Sequence, residues 1–250
     1  MAVDVTLWNG SFRQDEIPAF RCPTCKKGSL LLVPSSLQVE ESERSKKAMQ
    51  EAEDWDPNWT ENRFVAFLKC SWTSCGELVV VSGDTESVEE ADEEFGRVWA
   101  NHLRPRSMFP APHIIELPNE LPRPVEKEIE NSFQLFWVDL GASANRMRTS
   151  LERVMDHFQI RKFNKTGKRV AIPLANRISL FEQEHGSQFS DIFTALRHVG
   201  NLGSHADIDR VSLLSAYEVY EHALSELFAK RSKKIAALSK KIVKSKGKVR

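Results

Sequence analysis

Three side chains at successive four-residue steps, Arg197, Asn201 and His205, lie in the stretch Asp191-Ile-Phe-Thr-Ala-Leu-Arg-His-Val-Gly-Asn-Leu-Gly-Ser-His205. Ile192, Phe193, Leu196 and Val199 repeat there at helix spacing, so one face belongs to a core and the polar three form a stripe beside it. Each four-residue step turns 400°, so the stripe drifts by about 40° per step. An arginine and a histidine brought together can hold a phosphate and move a proton, which is what RNA cleavage without a metal requires. The same residue types also suit a buried polar network that joins helices. His198 falls on a different face and reads as a surface or interface histidine.

A second chemical set is Cys22-Pro-Thr-Cys25 and Cys70-Ser-Trp-Thr-Ser-Cys75, all the cysteines of the chain. Two close pairs far apart suit tetrahedral zinc, because each pair supplies two thiolates from one turn and the distant pair closes the site. Gly28 and Gly76 follow the second cysteine of each pair and would let the backbone fold under the metal with amides aimed at sulfur. A redox reading of Cys22 and Cys25 needs a strand before and a helix after, whereas Lys26 to Val33 reads as a turn into a strand. Four thiolates leave no open coordination position, so the expected zinc is structural.

These sites need elements to hold them. Strands are expected over Ser29 to Val33, Arg63 to Lys69 and Leu78 to Val81, a sheet small enough to depend on its metal. The insert from Pro34 to Asn62 reads as a partly helical loop, with Trp55 and Trp59 either capping the sheet or offering a stacking surface. The acidic run from Asp84 to Glu94 and the prolines up to Pro124 suggest an ordered connector without regular structure that lies along the second domain. Beyond it the pattern is helical. Val125, Ile129, Phe133, Phe136 and Trp137 form one apolar stripe, Met147, Leu151, Val154, Met155 and Phe158 a second, and Leu174, Ile178 and Phe181 a third. Asp207 or Asp209 can cap a last helix that turns Val211, Leu214, Tyr217, Leu224, Leu227 and Phe228 inward. The expected class is α+β: a zinc-stapled, ribbon-like β domain over 1–83, a connector over 84–123, a bundle of four to five helices over 124–230, and a basic tail over 231–250.

Composition sets outer bounds. The 250 residues carry 35 basic and 35 acidic side chains, so the formal charge is zero. The charges are segregated, however, with no acid after Glu226. No apolar run approaches the roughly 18 residues that span a bilayer, and the start of the chain has no signal pattern, so a cytoplasmic protein is expected. Lys233, Lys234, Lys240 and Lys241 in the tail, with Arg161, Lys162, Lys165, Lys168 and Arg169 before the third apolar stripe, would hold a polyanion such as RNA, or else keep the chain soluble.

The segment Asn145-Arg-Met-Arg-Thr-Ser-Leu-Glu152, a short helix, and then Leu196-Arg-His-Val-Gly-Asn-Leu-Gly-Ser-His205 resembles domain-of-unknown-function family 4145, a branch of the HEPN superfamily. The resemblance covers roughly Pro110 to Phe228 and rests on the Arg148/Glu152 pair and the Arg197, Asn201, His205 cluster. It implies a HEPN-like bundle that dimerises, often behind a cysteine-paired zinc region. It also implies a superfamily rich in metal-independent ribonucleases of antiviral defence and toxin systems. On that resemblance Arg197, Asn201 and His205 are the catalytic candidates. Arg148 and Glu152 either support them or form only an intrahelical pair. The sequence departs from the superfamily pattern in one place: Gly200 stands where catalytic members carry the arginine, and Arg197 comes one turn earlier, about 12 Å along a straight helix from His205. A helix break at Gly200 or Gly203 would shorten that distance. The competing reading is a non-catalytic zinc-containing module that binds nucleic acid or a partner protein.

Overall fold

The computed structural model describes residues 3–8, 10–54, 56, 59–92, 96–164, 169–205 and 207–246; of Asp92, Ser204, His205, Arg231 and Lys233 it describes the backbone alone. The chain forms two units: Asp4–His113 with Phe133–Asp139, and Ile114–Ser132 with Leu140–Arg250 and Met1–Val3.

The first unit is a curled antiparallel sheet. Its strands are β1 (Phe12–Arg13), β2 (Leu30–Leu32), β3 (Gln38–Glu41), β4 (Asn62–Cys70), β5 (Leu78–Asp92) and β6 (Gly96–Phe109), with α1 (Glu43–Glu51) after β3. The order is β1-β6-β5-β4-β2, and β3 also pairs with β4. Strict alternation along β4 buries Asn62, Phe64, Ala66, Leu68 and Cys70 and exposes the residues between, the period of a strand with one covered face. Val79, Val81, Leu103 and Met108 continue that core. Trp8, Phe20, Phe136 and Trp137 add a cluster of rings with centroids 5.3–6.0 Å apart, within the range of edge and offset contacts.

The connector expected over 84–123 without regular structure is instead strand over 84–92 and 96–109, and the sheet is much larger than the three short strands the sequence suggests. Two features reconcile this with the local composition. The acids of β5 face the bases of β6: Arg104 bridges to Asp84 at 2.8 Å and Glu86 at 3.5 Å, Arg97 reaches Glu89 at 3.3 Å, and Glu90 takes His102 at 2.6 Å and Arg13 at 2.7 Å. Opposite charges across strands favour pairing, whereas the acidic run alone disfavours it. Pro105 is tolerated because the register shifts beside it, Ser82 facing Ser107 and Gly83 facing Pro105, so Arg106 is the extra residue of a bulge. Gly83 is required there, since a Cβ would strike the carbonyl oxygen of Arg104. In the insert, Ser42 caps α1 by accepting the Ser45 N–H at 3.1 Å. Trp59 is 54% exposed and so caps nothing, while Trp55 lies outside the described residues.

Asp84 is the electrostatic centre of this hairpin. Burial raises its pKa, but Arg104 and Arg106, donating at 2.8–3.1 Å, bring it down to about 2. The unfolded carboxyl titrates near ~3.9. The stabilisation is therefore complete above about pH 4 and disappears as pH falls toward 2; allowing for partial solvation it amounts to about 1–2 kcal/mol. Asp84→Asn is accordingly expected to lower the melting temperature at pH 7 and to leave it close to that of the parent at pH 2. An equal loss at both pH values in thermal melts would show that the ion pairs are not its source.

The second unit is helical: most of α2 (Arg123–Leu135), then α3 (Leu140–His157), α4 (Leu174–His185), α5 (Ser190–His205), α6 (Arg210–Leu224) and α7 (Arg231–Lys244). The expected stripes are buried at Val125, Ile129, Met147, Leu151, Val154, Met155, Leu174, Ile178, Phe181, Leu214, Tyr217 and Leu224. Val211, expected inward, is 56% exposed. Asp209 caps α6, accepting the Ser212 N–H at 2.8 Å. Two buried tyrosines tie the helices: Tyr217 meets Ser132 at 2.5 Å and Ser143 at 2.9 Å, and Tyr220 meets Ser150 at 2.9 Å. The basic tail does not simply extend α6. A π turn over Ser225–Ala229 ends at Lys230, whose φ of 50° stops the helix before α7 begins.

Candidate functional site

The four cysteines converge. Cys22 and Cys25 lie on the turn before β2, Cys70 ends β4, and Cys75 lies on the turn before β5. β2 pairs with β4 so that Leu30 faces Cys70, and this pairing joins the two turns. The sulfurs of Cys22 and Cys75 are 3.8 Å apart, those of Cys25 and Cys70 3.6 Å, and all four lie within 4.8 Å of one another. Disulfides need about 2.05 Å. Four bonds of ~2.3 Å in a tetrahedron, by contrast, give edges near 3.8 Å, so the spacing fits a thiolate-bound metal ion.

The surrounding backbone suits that role. Gly28 N–H points at Cys25 Sγ and Trp72 N–H at Cys70 Sγ, both at 3.4 Å. A side chain on Gly28 would come to 2.5 Å from Cys70 Sγ, so only glycine fits. Gly76 takes the left-handed turn expected of it, φ 63°, but its N–H goes to the Trp72 carbonyl at 3.1 Å and not to sulfur. Burial pushes the Cys22 thiol up to about 12. Burial also opposes ionisation of Cys25, yet the N–H groups of Gly28 and Lys27 bring it down to about 6. A cation among the sulfurs would offset the cost of ionising the others.

The polar stripe lies on α5, which runs unbroken through Gly200 and Gly203. Both glycines serve packing. A Cβ on Gly203 would strike the Gly141 carbonyl and come to 3.0 Å from Ala144 Cβ, and one on Gly200 would strike Arg148 Cβ. The expected break is therefore absent, because the close approach of α3 compensates what glycine loses in helix propensity. Arg197 and His205 remain about 12 Å apart along the axis. Arg197 is half-buried, its Nη2 lies 2.9 Å from His198 Nε2, and its Nε is buried without a hydrogen-bond partner among the described residues. His198 is exposed and Asn201 half-buried; the side chain of His205 lies outside the described residues.

On α3, Arg148 Nη2 and Glu152 Oε1 are 3.5 Å apart, and Arg148 Nε is again buried without a partner among the described residues. The expected basic loop is more tied down than the sequence suggests. Asp156 binds Lys162 at 2.7 Å, Arg153 at 3.2 Å and the buried Arg177 at 2.7 Å, and Arg177 also donates to the Ile160 carbonyl at 2.9 Å. Against burial, these partners hold the Asp156 carboxyl below its usual range. Arg169 stacks over Phe163 at 4.3 Å, and Arg161 is exposed. Lys165 and Lys168 lie outside the described residues, as does the side chain of Lys233. Lys234 pairs with Glu120 at 3.2 Å, and Lys240 and Lys241 are exposed.

Residues 130–244, from the middle of α2 to the end of α7, match the family model described as Domain of unknown function (DUF4145). Residues 10–108, which carry the sheet and all four cysteines, match the one described as Domain of unknown function (DUF8608). No curated protein and no solved structure matches the chain. Among the described residues no helix is long and apolar enough to cross a membrane.

Proposed function

We propose that this protein is a metal-independent endoribonuclease of HEPN type, built on the helical unit, with a structural zinc ion in the thiolate cluster of the sheet unit. The observation that carries the reading is the state of the arginines beside the stripe. Among the described residues Arg197 and Arg148 each keep a buried Nε–H without an acceptor, as Arg177 does in the Asp156 cluster, and what supports a phosphate role for the first two is their place beside Asn201 and His205 on the α3–α5 seam. A phosphate oxygen is an acceptor of the right charge. In this reading two protomers pair and each brings Arg197, Asn201 and His205 to a shared cleft. The RNA 2′-oxygen attacks the adjacent phosphorus, the bond to the 5′-oxygen breaks, and His205 moves the proton lost by the one and gained by the other. The products are a 2′,3′-cyclic phosphate and a 5′-hydroxyl. Soft, closed, four-thiolate coordination suits zinc from Cys22, Cys25, Cys70 and Cys75, with no role in that reaction.

A binding module without catalysis is the second reading, favoured by the 12 Å axial separation noted above. Incubation of the purified protein with mixed cellular RNA separates them: cyclic-phosphate ends are expected, and intact RNA would leave only the module. Antiviral defence or a toxin system is the setting that the resemblance to the HEPN superfamily implies for such an enzyme.

The basic α7 supplies sequence-independent affinity. Its exposed lysines release counterions on meeting phosphates, so truncation after Ser232 is expected to weaken RNA binding and flatten its salt dependence while the melting temperature is kept. Equal affinity at low salt for truncated and full chains would reduce α7 to a solubility device.

A further inference from the structure

The seam between α3 and α5 brings a second arginine to the polar stripe. Gly200 lies so close to α3 that an added Cβ would overlap the Cβ of Arg148, with Arg148 Cδ at 2.9 Å and Cγ at 3.1 Å. The arginine stem therefore crosses α5 at the level of residue 200. With a rise of 1.5 Å per residue, that level is about 1.5 Å from Asn201 and about 7.5 Å from His205 along the axis; Arg197 is about 6 Å and 12 Å away. Viewed down α5 from the direction of Gly200, Arg197, Asn201 and His205 follow at about 60°, 100° and 140°, so all three lie on the same side of the line along which Arg148 crosses.

The guanidinium of Arg148 is also within reach of a ligand, its side chain being 31% exposed. Its Nε is buried without a partner among the described residues, and its 3.5 Å approach to Glu152 is an ion pair too long to count as a strong hydrogen bond. The terminal nitrogen Nη2 of Arg197, in contrast, is engaged by His198. A planar, partly exposed fork carried on a stem that packing holds in place is the arrangement that grips phosphate oxygens in pairs.

The geometry points to Arg148, laid across Gly200, as the arginine that contacts the reacting phosphate of RNA, with Arg197 holding the strand a turn further along. The word reacting rests on the ribonuclease reading, whereas the phosphate contact does not. Two measurements on the full chain keep these apart: single-turnover cleavage of a short RNA, and binding of the same sequence as an uncleavable 2′-O-methyl oligonucleotide. Arg148→Ala is expected to lower cleavage about 100-fold and oligonucleotide affinity about tenfold, and Arg197→Ala to lower cleavage about tenfold or less. If the parent binds but does not cut, and Arg148→Ala still weakens binding, the phosphate site stands and the ribonuclease reading falls. Parental cleavage and binding by a folded Arg148→Ala overturn the assignment, as does a larger cleavage loss in Arg197→Ala. Should Arg148→Ala fail to fold, Arg148→Lys decides, because it keeps a stem over Gly200 and a charge without the fork: cleavage at the parental rate overturns the assignment, and reduced cleavage with retained folding supports it.

Discussion

Cys70→Ser is expected to lose the bound metal and to lower the melting temperature of the sheet unit by about 15 °C. The residue is 4% exposed, ends the central strand β4, and has its sulfur 3.6 Å from Cys25 and under the Trp72 N–H. A serine oxygen is a poor replacement for one of four soft ligands, and loss of one thiolate opens the site. Structural zinc in isolated fingers supplies about 10–16 kcal/mol because nothing else holds them. Here Phe64, Ala66, Leu68, Val79, Val81, Leu103 and Met108 form a core of their own, so a smaller loss of about 4 kcal/mol is expected, confined to the turns around Cys22 and Cys75. Metal analysis should give one zinc per chain in the parent and little in the variant, and a chelator should reproduce the shift. Protein with four intact thiols, far less than one equivalent of metal and an unchanged melt after chelation would end the metal reading.

The second large effect is on chemistry. His205→Ala is expected to lower RNA cleavage by about 10²–10⁴, the range for removal of a group that transfers a proton in the transition state. Alanine is the best helix former, so α5 should persist to its end. Affinity for an uncleavable oligonucleotide should change little, since the arginines and α7 supply the phosphate contacts. The products to follow are the cyclic-phosphate ends. If the parent and His205→Ala give the same fragments at the same rate, the cutting comes from a contaminant or from other residues, and His205 has no catalytic part.

Much of this was readable before any coordinates, where the information is local. The helix stripes that bury Ile129, Met147, Leu151 and Phe181 follow from a period of 3.6 residues, and the β4 alternation from a period of two. Two cysteine pairs, each followed by a glycine, already point to one cluster, because a thiolate site needs only two turns and a strand pairing between them. Local reading failed where the partner lies far along the chain. The acids of β5 look like a solvated linker until β6 places Arg97, His102 and Arg104 opposite them, and Pro105 looks like a breaker until Arg106 bulges beside it.

The sequence by itself thus determined the candidates for chemistry, the cysteine quartet and the Arg197, Asn201, His205 stripe, because residue type and helical or turn spacing are properties of short segments. Only the tertiary structure decided what Gly200 and Gly203 are for. Read locally, a glycine in a helix weakens it. In the fold the missing side chains let α3 approach until Gly203 meets Gly141 and Arg148 lies across Gly200, a close contact between segments 52 to 62 residues apart that no spacing rule contains.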